Sequence, residues 1–319
     1  RQMCIRDSNY YSVDKAKNSN LKHRPVGLGI MGFQDALYKI RVPYESEEAV
    51  AFADKSMEYV SYFAIEASME LAKERGAYES FDGSLWSQGV LPIDSLNKLK
   101  KIRGKYLDVN LNQSLKWDEL REKINTHGMR NSNTLAIAPT ATIANITGLT
   151  QSIEPTYSNL FVKSNLSGEF TVINMHLVDA LKEIDMWDEV MVYDLKNLNG
   201  SLESIARVPE DIKKLFATSF EVEPKWLIEA ASRRQKWIDQ SQSLNLYVSE
   251  PNGKKLDVMY RMAWLRGLKT TYYLRSRSAT TTEKSTITNM ELNAVKTESK
   301  TYDQPEACSI DDPDCEACQ

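Results

Sequence analysis

An α/β fold, layered or closed into a barrel, is predicted for this chain on three observations. Long runs with apolar residues at steps of three and four carry helix start and stop signals. Between them lie short runs rich in β-branched and aromatic residues. The two kinds of run alternate as far as Arg277, where the composition changes abruptly. With 319 residues, 42% apolar and 26% charged, the chain has material for a sizeable core.

Taken in order, the first eight residues, RQMCIRDS, fit no structural element. They read as the in-frame translation of a sequencing adapter. Residues 1–8 are therefore expected to be a scar, Cys4 to carry no function, and the natural protein to continue upstream. RPVGLGIMGF (Arg24–Phe33) places Gly27, Gly29 and Gly32 in the spacing G-x-G-x-x-G. A dinucleotide site needs a buried strand before it, and AKNSNLKH is not one, so close backbone packing at a helix start is the expected use. The clearest helix follows, marked by Ala49, Ala53, Met57, Val60, Ala64, Ala67 and Leu71. Ser46 suits its N-cap, Glu47 and Glu48 its positive end, and Gly76 the position past its last turn. The small residues in the stripe imply tight packing against another element.

A second helix is expected over Trp117–His127, stopped by Gly128, and a strand at Asn133–Ala138. Further helices are expected near Met175–Trp187, near Pro209–Phe216 with the proline in its first turn, and at Lys225–Trp237. Ser243–Val248 reads as a strand, Leu256–Arg266 as a helix closed by Gly267, and Lys269–Ser276 as a strand. No internal repeat is visible. After Arg277 the chain is rich in Thr, Ser, Glu and Lys and poor in large apolar residues, so residues 278–319 are expected to form a flexible arm. An arm of about 35 residues has a typical end-to-end distance of roughly 30–35 Å.

Composition excludes several classes. A net charge of −4 gives no reason to expect nucleic acid or an anionic membrane as partner. No run reaches the about 18 apolar residues of a membrane span. Four cysteines, three of them between Cys308 and Cys318, make no secreted disulfide framework, and a cytoplasmic, reducing setting is expected.

Three constellations carry chemistry. In LAIAPTATIANITG (Leu135–Gly148) a strand stops at Pro139, and Thr140, Ala141, Thr142 and Ile143 lead into a short helix. Free N–H groups and small hydroxyls at a helix start suit a phosphate. No Lys-Ser or Lys-Thr pair is present, so the phosphate would be a handle and not the reacting group; an ordinary Thr-capped turn remains the alternative. Tyr272 and Tyr273 are adjacent in a strand run, where neighbours point to opposite faces. They either fill a sheet or pass electrons between phenols. Cys315 and Cys318 form a CxxC at the end of the arm. Zinc needs four ligands, Cys308 would be a third, and all three histidines lie far upstream. The acidic neighbours Asp311, Asp312 and Asp314 should not activate a thiolate. A dithiol oxidised by delivering electrons and then reduced by another protein is the better reading.

In this order the pieces resemble one family. HGMRNSNTLAIAPTATIANITGLTQSIEP (His127–Pro155), IDQSQSLNLYVSEP (Ile238–Pro251), GLKTTYYLRSR (Gly267–Arg277) and the terminal CxxC are similar to the C-terminal part of the large, catalytic subunit of class I ribonucleotide reductase. NLFVKSNLSGEF (Asn159–Phe170) resembles its eukaryotic-like branch. The resemblance runs from about residue 9 to 319. It implies reduction of ribonucleoside diphosphates by radical chemistry. It implies the C-terminal part of a ten-stranded α/β barrel with outer helices over residues 9–277. Pro139, Thr140, Ala141, Thr142 and Ile143 match the loop that holds substrate phosphates, Tyr272 and Tyr273 the radical-transfer pair, and Cys315 and Cys318 the shuttle reduced by thioredoxin or glutaredoxin. Leu256–Arg266, with Leu256, Tyr260 and Trp264, would lie near the groove for the small subunit's tail or pack in the core.

The implied partners are the small radical-generating subunit, which holds the metal, and a second copy of the full-length subunit. No cofactor is implied in this chain itself, and ATP and deoxynucleotide effectors would bind mainly upstream. The family's radical-bearing cysteine, in Asn-x-Cys-x-Glu, and its active-site cysteine pair have no match here, so the chain alone is expected to be inactive. The alternatives are a non-catalytic redox or zinc-binding module and one half of a naturally split reductase. A cobalamin-dependent reductase is disfavoured by the tyrosine pair.

Overall fold

The computed structural model describes residues 7–165 and 168–277. The described part of the chain is mostly helical. The helices are α1 (Asp14–His23), α2 (Phe33–Lys39), α3 (Glu47–Arg75), α4 (Ser95–Arg103), α5 (Trp117–His127) and α6 (Ile143–Thr147), followed by α7 (Met175–Glu183), α8 (Glu189–Asn197), α9 (Glu210–Leu215), α10 (Pro224–Gln235) and α11 (Gly253–Leu265). The strands are the antiparallel hairpin β1 (Leu160–Asn165) and β2 (Gly168–Ile173), and the parallel pair β3 (Leu246–Val248) and β4 (Leu274–Ser276). Among the described residues no helix is long and apolar enough to cross a membrane.

Four extended runs lie side by side, parallel and in chain order. Val26 and Leu28 donate to the carbonyls of Asn133 and Thr134, and Leu28 bridges Leu135. Ile137 bridges Gln242, and β3 pairs with β4. Parallel neighbours joined through helices are the hallmark of α/β architecture. The α/β class stands. The sheet is not closed among the described residues, where only two two-stranded sheets form.

Much of the expected strand is missing for a physical reason: side chains take the place of ladder partners. Asn133–Ala138 forms isolated bridges at Leu135 and Ile137 because the Asp239 carboxylate accepts from the N–H groups of Thr134 (2.9 Å) and Leu135 (2.7 Å). Lys269–Ser276 is a strand only from Leu274. Before it, Lys269 Nζ donates to the carbonyls of Ile238, Asp239 and Gln240, and the Tyr273 N–H goes to the Asn245 side chain. The β1–β2 hairpin was not anticipated, since LFVKSN and GEFTVI read as part of a motif and not as strands.

The helices expected from the sequence form within a few residues of their bounds, whereas α1, α4 and α8 were not expected. Ser46 caps α3, its hydroxyl accepting from Ala49 N–H at 3.1 Å, and Gly76 ends it. The buried stripe differs in its second half, running through Ser61, Ile65, Ser68 and Ala72 while Ala67 is exposed. An apolar count skips serine, but both hydroxyls are satisfied inside, Ser61 by the Trp237 carbonyl (2.7 Å) and Ser68 by Asn131 (2.9 Å). The small residues let α3 pack on α10 and α5, with Trp117 and Trp237 stacked 5.3 Å apart at one end of the core. Helices α7 to α9 enclose a second, smaller core around Leu177, Met191, Leu195 and Phe216. Pro209 is the N-cap of α9 and not its first helical residue. Gly29 sits where a Cβ would lie 2.4 Å from the Ala136 carbonyl oxygen, and Gly32 takes φ +74 ahead of α2. The glycines thus serve close packing against the Leu135–Ile137 run.

Candidate active site

The chain leaves the Leu135–Ile137 run at Ala138 and turns through Pro139–Ile143. Thr140 adopts φ +54, a left-handed conformation unusual for a β-branched residue. Its Oγ1 accepts from Ser152 N–H (2.8 Å) and its carbonyl from Ala144 N–H (2.9 Å). Thr142 occupies the N-cap of α6 and Ile143 its first position. Ala141, Thr142 and Ile143 are exposed while Ala144 is buried and anchors the turn. With Ala144 N–H and Thr140 Oγ1 already bonded, the exposed Thr142 hydroxyl and Ile143 N–H are what this turn presents at the start of α6. Asp35 holds the other side, accepting from Thr150 N–H (2.7 Å) and Oγ1 (2.6 Å).

Tyr272 and Tyr273 lie on one side of the chain. Their ring centroids are 4.2 Å apart and the two hydroxyls 3.4 Å apart, with both side chains about half exposed. A strand would have sent them to opposite faces. The backbone is held differently here. Tyr272 N–H donates to the Leu244 carbonyl (2.7 Å), Tyr273 N–H to Asn245 Oδ1 (3.1 Å), and the Tyr273 carbonyl accepts from Leu246 N–H (2.8 Å). The adjacent Tyr273 phenol raises the Tyr272 pKa through a hydrogen bond and through repulsion of its charged form. The Arg275 guanidinium lies 5.4 Å from the Tyr273 ring.

No hydrogen bond among the described residues joins the 139–143 turn directly to the tyrosines. The segment between Gln151 and Glu154 connects them. Ser152 bonds Thr140, while the Glu154 carboxylate accepts from Asn245 Nδ2 (2.6 Å) and from the Tyr247 hydroxyl. Glu154, Asn245 and Tyr247 are buried. Burial, with Glu154 beside it, pushes the Tyr247 phenol well above its ordinary range. Sequence reading passed over all three. The only signal was an acidic residue in SIEP and an asparagine in SLNLYV, both in runs that fold inward.

Of the α11 face, Leu256 packs against the core, but Tyr260 and Trp264 are exposed, and Met259 and Ala263 are the buried residues. Arg103 covers Trp264 at 4.3 Å. Cys4, Cys308, Cys315 and Cys318 lie outside the described residues.

The model of the family described as ribonucleotide reductase, barrel domain, matches residues 2–274. The chain belongs to the ribonucleotide reductase barrel-domain family. It is 58% identical over 282 residues to the ribonucleoside-diphosphate reductase subunit alpha of Chlamydia muridarum, covering 88% of this chain and 27% of that protein. It is 44% identical over 294 residues to the large subunit of Plasmodium falciparum (isolate Dd2), covering 92% of this chain and 35% of that protein. The chain therefore spans about a quarter to a third of the length of these relatives. In fold it resembles the Actinobacillus ureae class Id ribonucleotide reductase alpha subunit, with a TM-score of 0.66 at 24% identity, over 87% of this chain and 44% of that one.

Proposed function

We propose that this chain is the C-terminal part of the catalytic subunit of a ribonucleoside-diphosphate reductase. Within the whole subunit it would take part in reducing ribonucleoside diphosphates to 2′-deoxyribonucleoside diphosphates by radical chemistry. The observation that carries the reading is the contact of the two phenols, 3.4 Å between hydroxyls. Membership of the family and the names of the relatives support it. In this reading Tyr272 and Tyr273 relay the oxidising equivalent delivered by the small, metal-containing subunit. Pro139, Thr140, Ala141, Thr142 and Ile143 hold the substrate phosphates through the amides and hydroxyls at the start of α6. Cys315 and Cys318 form a disulfide as they return two electrons and two protons to the active-site disulfide, and thioredoxin or glutaredoxin reduces them again.

Residues 9–277 belong, on this reading, to a ten-stranded α/β barrel, and residues 278–319 form the shuttle arm. The four parallel runs in chain order support the barrel. The whole subunit would be a homodimer, with ATP and deoxynucleotide effectors bound upstream, and would work in the cytoplasm.

The test is a chimera in which this chain replaces the matching region of the Chlamydia muridarum subunit alpha, assayed for deoxynucleotide formation with small subunit and thioredoxin. The chimera should turn over, and Tyr272→Phe or Tyr273→Phe should reduce it to background. Cys315→Ser should abolish turnover with thioredoxin while a small dithiol restores it. The 319-residue chain alone should be inactive. A chimera that keeps turnover with either tyrosine replaced would overturn the reading.

A further inference from the structure

The tyrosine pair depends on an arrangement that a parallel ladder does not supply. In a ladder the Tyr273 N–H would meet a main-chain carbonyl. Here it meets a side chain, Asn245 Oδ1, at 3.1 Å. An asparagine amide presents an acceptor on one side and two donors on the other. If its oxygen faces Tyr273, its nitrogen must face an acceptor. That acceptor is Glu154 Oε1 at 2.6 Å, and the carboxylate's second oxygen accepts from the Tyr247 hydroxyl. All three side chains are buried, Asn245 at 3%, Tyr247 at 4% and Glu154 at 7% exposure, so water is a poor substitute partner. No lysine or arginine pairs with Glu154 among the described residues. Its partners are these two donors, and a buried carboxylate held in this way is costly unless both are present.

We infer that Glu154 is a positioning residue. By accepting from Asn245 it fixes which way that amide points, and the amide oxygen fixes the Tyr273 backbone so that the two phenols lie side by side. With the acceptor removed, Asn245 Nδ2 is left buried without a partner, and the amide is free to swing its nitrogen toward another acceptor and draw its oxygen off the Tyr273 N–H. The backbone then loses the anchor that bends it out of strand geometry, and the rings part. Ser152, two residues before Glu154, holds Thr140, so the same short segment sets both the tyrosine pair and the turn at Pro139–Ile143. The inference gives the radical-transfer reading a structural basis and rests on it for its purpose, but its geometry is tested without turnover.

The test uses the 319-residue chain with 3-fluorotyrosine at position 272, titrated by fluorine NMR. The neighbouring phenol should hold this midpoint above that of the same probe in a Tyr273→Phe chain. Glu154→Leu and Asn245→Ser should remove most of that difference. Glu154→Gln, whose amide still offers an oxygen to Asn245 and can donate to the Tyr247 oxygen, should restore it. A merely structural role would not separate Gln from Leu while far-UV circular dichroism stays unchanged. A second measurement needs no variant: the Tyr273 amide in the unaltered chain should be protected from hydrogen exchange although its side chain is half exposed. Unprotected exchange there, or a wild-type midpoint in folded Glu154→Leu, overturns the inference. A chimera without turnover would count against the radical reading and leave both results standing.

Discussion

Glu58 on α3 offers the sharpest stability test. Its carboxylate is buried, at 4% exposure, and takes four hydrogen bonds. Oε1 accepts from Ser114 N–H (2.6 Å), Leu115 N–H (3.0 Å) and Trp117 Nε1–H (3.0 Å), and Oε2 from the Ser114 hydroxyl (2.7 Å). Burial raises the pKa of this carboxyl, but the Ser114, Trp117 and Leu115 donors outweigh it, and the net shift is downward. The group pins the segment before α5 to α3. The same stretch reaches α11, where Asp108 N–H donates to the Leu265 carbonyl. Glu58→Ala leaves the indole N–H of Trp117, itself 1% exposed, without an acceptor. A hydrogen bond to a charged group contributes about 1.5–3 kcal/mol, and such bonds do not add fully when they share one acceptor. The expected loss is therefore about 3–5 kcal/mol, or about 6–20 °C in Tm for a chain of this size. Glu58→Gln keeps three of the four acceptor contacts and should lose about 1–3 kcal/mol. Because the folded pKa lies below the unfolded value, the ionised group's contribution is present above about pH 4.3 and is lost as pH falls through the folded pKa. Calorimetry of wild type and Glu58→Gln at neutral pH and at about pH 3 checks both points. A Glu58→Ala Tm within about 2 °C of wild type, or a wild-type-to-Gln gap that does not narrow in acid, would refute the reasoning.

Other expectations follow from the same structure. Gly29→Ala places a Cβ 2.4 Å from the Ala136 carbonyl oxygen, so the Leu28–Leu135 bridge must open; a loss of about 1–3 kcal/mol is expected in urea titration, with faster amide exchange at Ala136. Arg234 is fully buried, faces the Tyr44 phenol without a well-formed hydrogen bond among the described residues, and stacks 4.1 Å over Phe33; burial lowers its pKa, partly offset by Tyr44. Arg234→Met should leave stability unchanged or raise it by about 1–4 kcal/mol, as when a buried charge gives way to an apolar side chain; a large loss of Tm would show that the guanidinium is satisfied in solution. Asp188 caps α8 and takes two bonds from Arg207, at 2.6 and 2.7 Å, which pull its carboxyl down to about 2. NMR titration should find that value and see it rise toward the ordinary carboxylate range in Arg207→Ala. With the folded value depressed, this group's contribution to stability is present above the ordinary carboxylate pKa and is lost as pH falls from there through about 2.

Helices were the legible part of the fold. Their period, the Ser46 cap and the Gly76, Gly128 and Gly267 stops are local, and the structure keeps each of them within a few residues. Strands were less legible because four parallel runs are held partly by side chains. Nothing in NTLAIA says that its amides go to Asp239, about a hundred residues later, and nothing in KTTYYLRS says that Lys269 clamps three consecutive carbonyls. The candidate site was legible as pieces. TATIANITG announces a turn into a helix start, and Tyr272–Tyr273 announces paired phenols, but the two lie far apart in sequence. Periodicity even argued against the pair, since a strand would separate the rings.

What joins the pieces is a feature that composition disguises. SIEP and SLNLYV look like the ends of apolar runs, yet Glu154 and Asn245 turn their polar atoms toward each other inside the core. A buried carboxylate with no cation paired to it among the described residues is tolerable only where donors are arranged around it in advance. Here those donors are Asn245 and Tyr247, both of the run that ends in β3, and β3 in turn pairs with β4. The polar contact and the strand pairing therefore constrain the same stretch of chain from both sides. Tyr273 sits at their meeting point, with its N–H given to Asn245 and its carbonyl to Leu246. Two opposed anchors on one residue fix its backbone as a ladder would, although its ring is half exposed. That combination, a restrained backbone beneath an accessible phenol, is what the relay role proposed for Tyr273 would require.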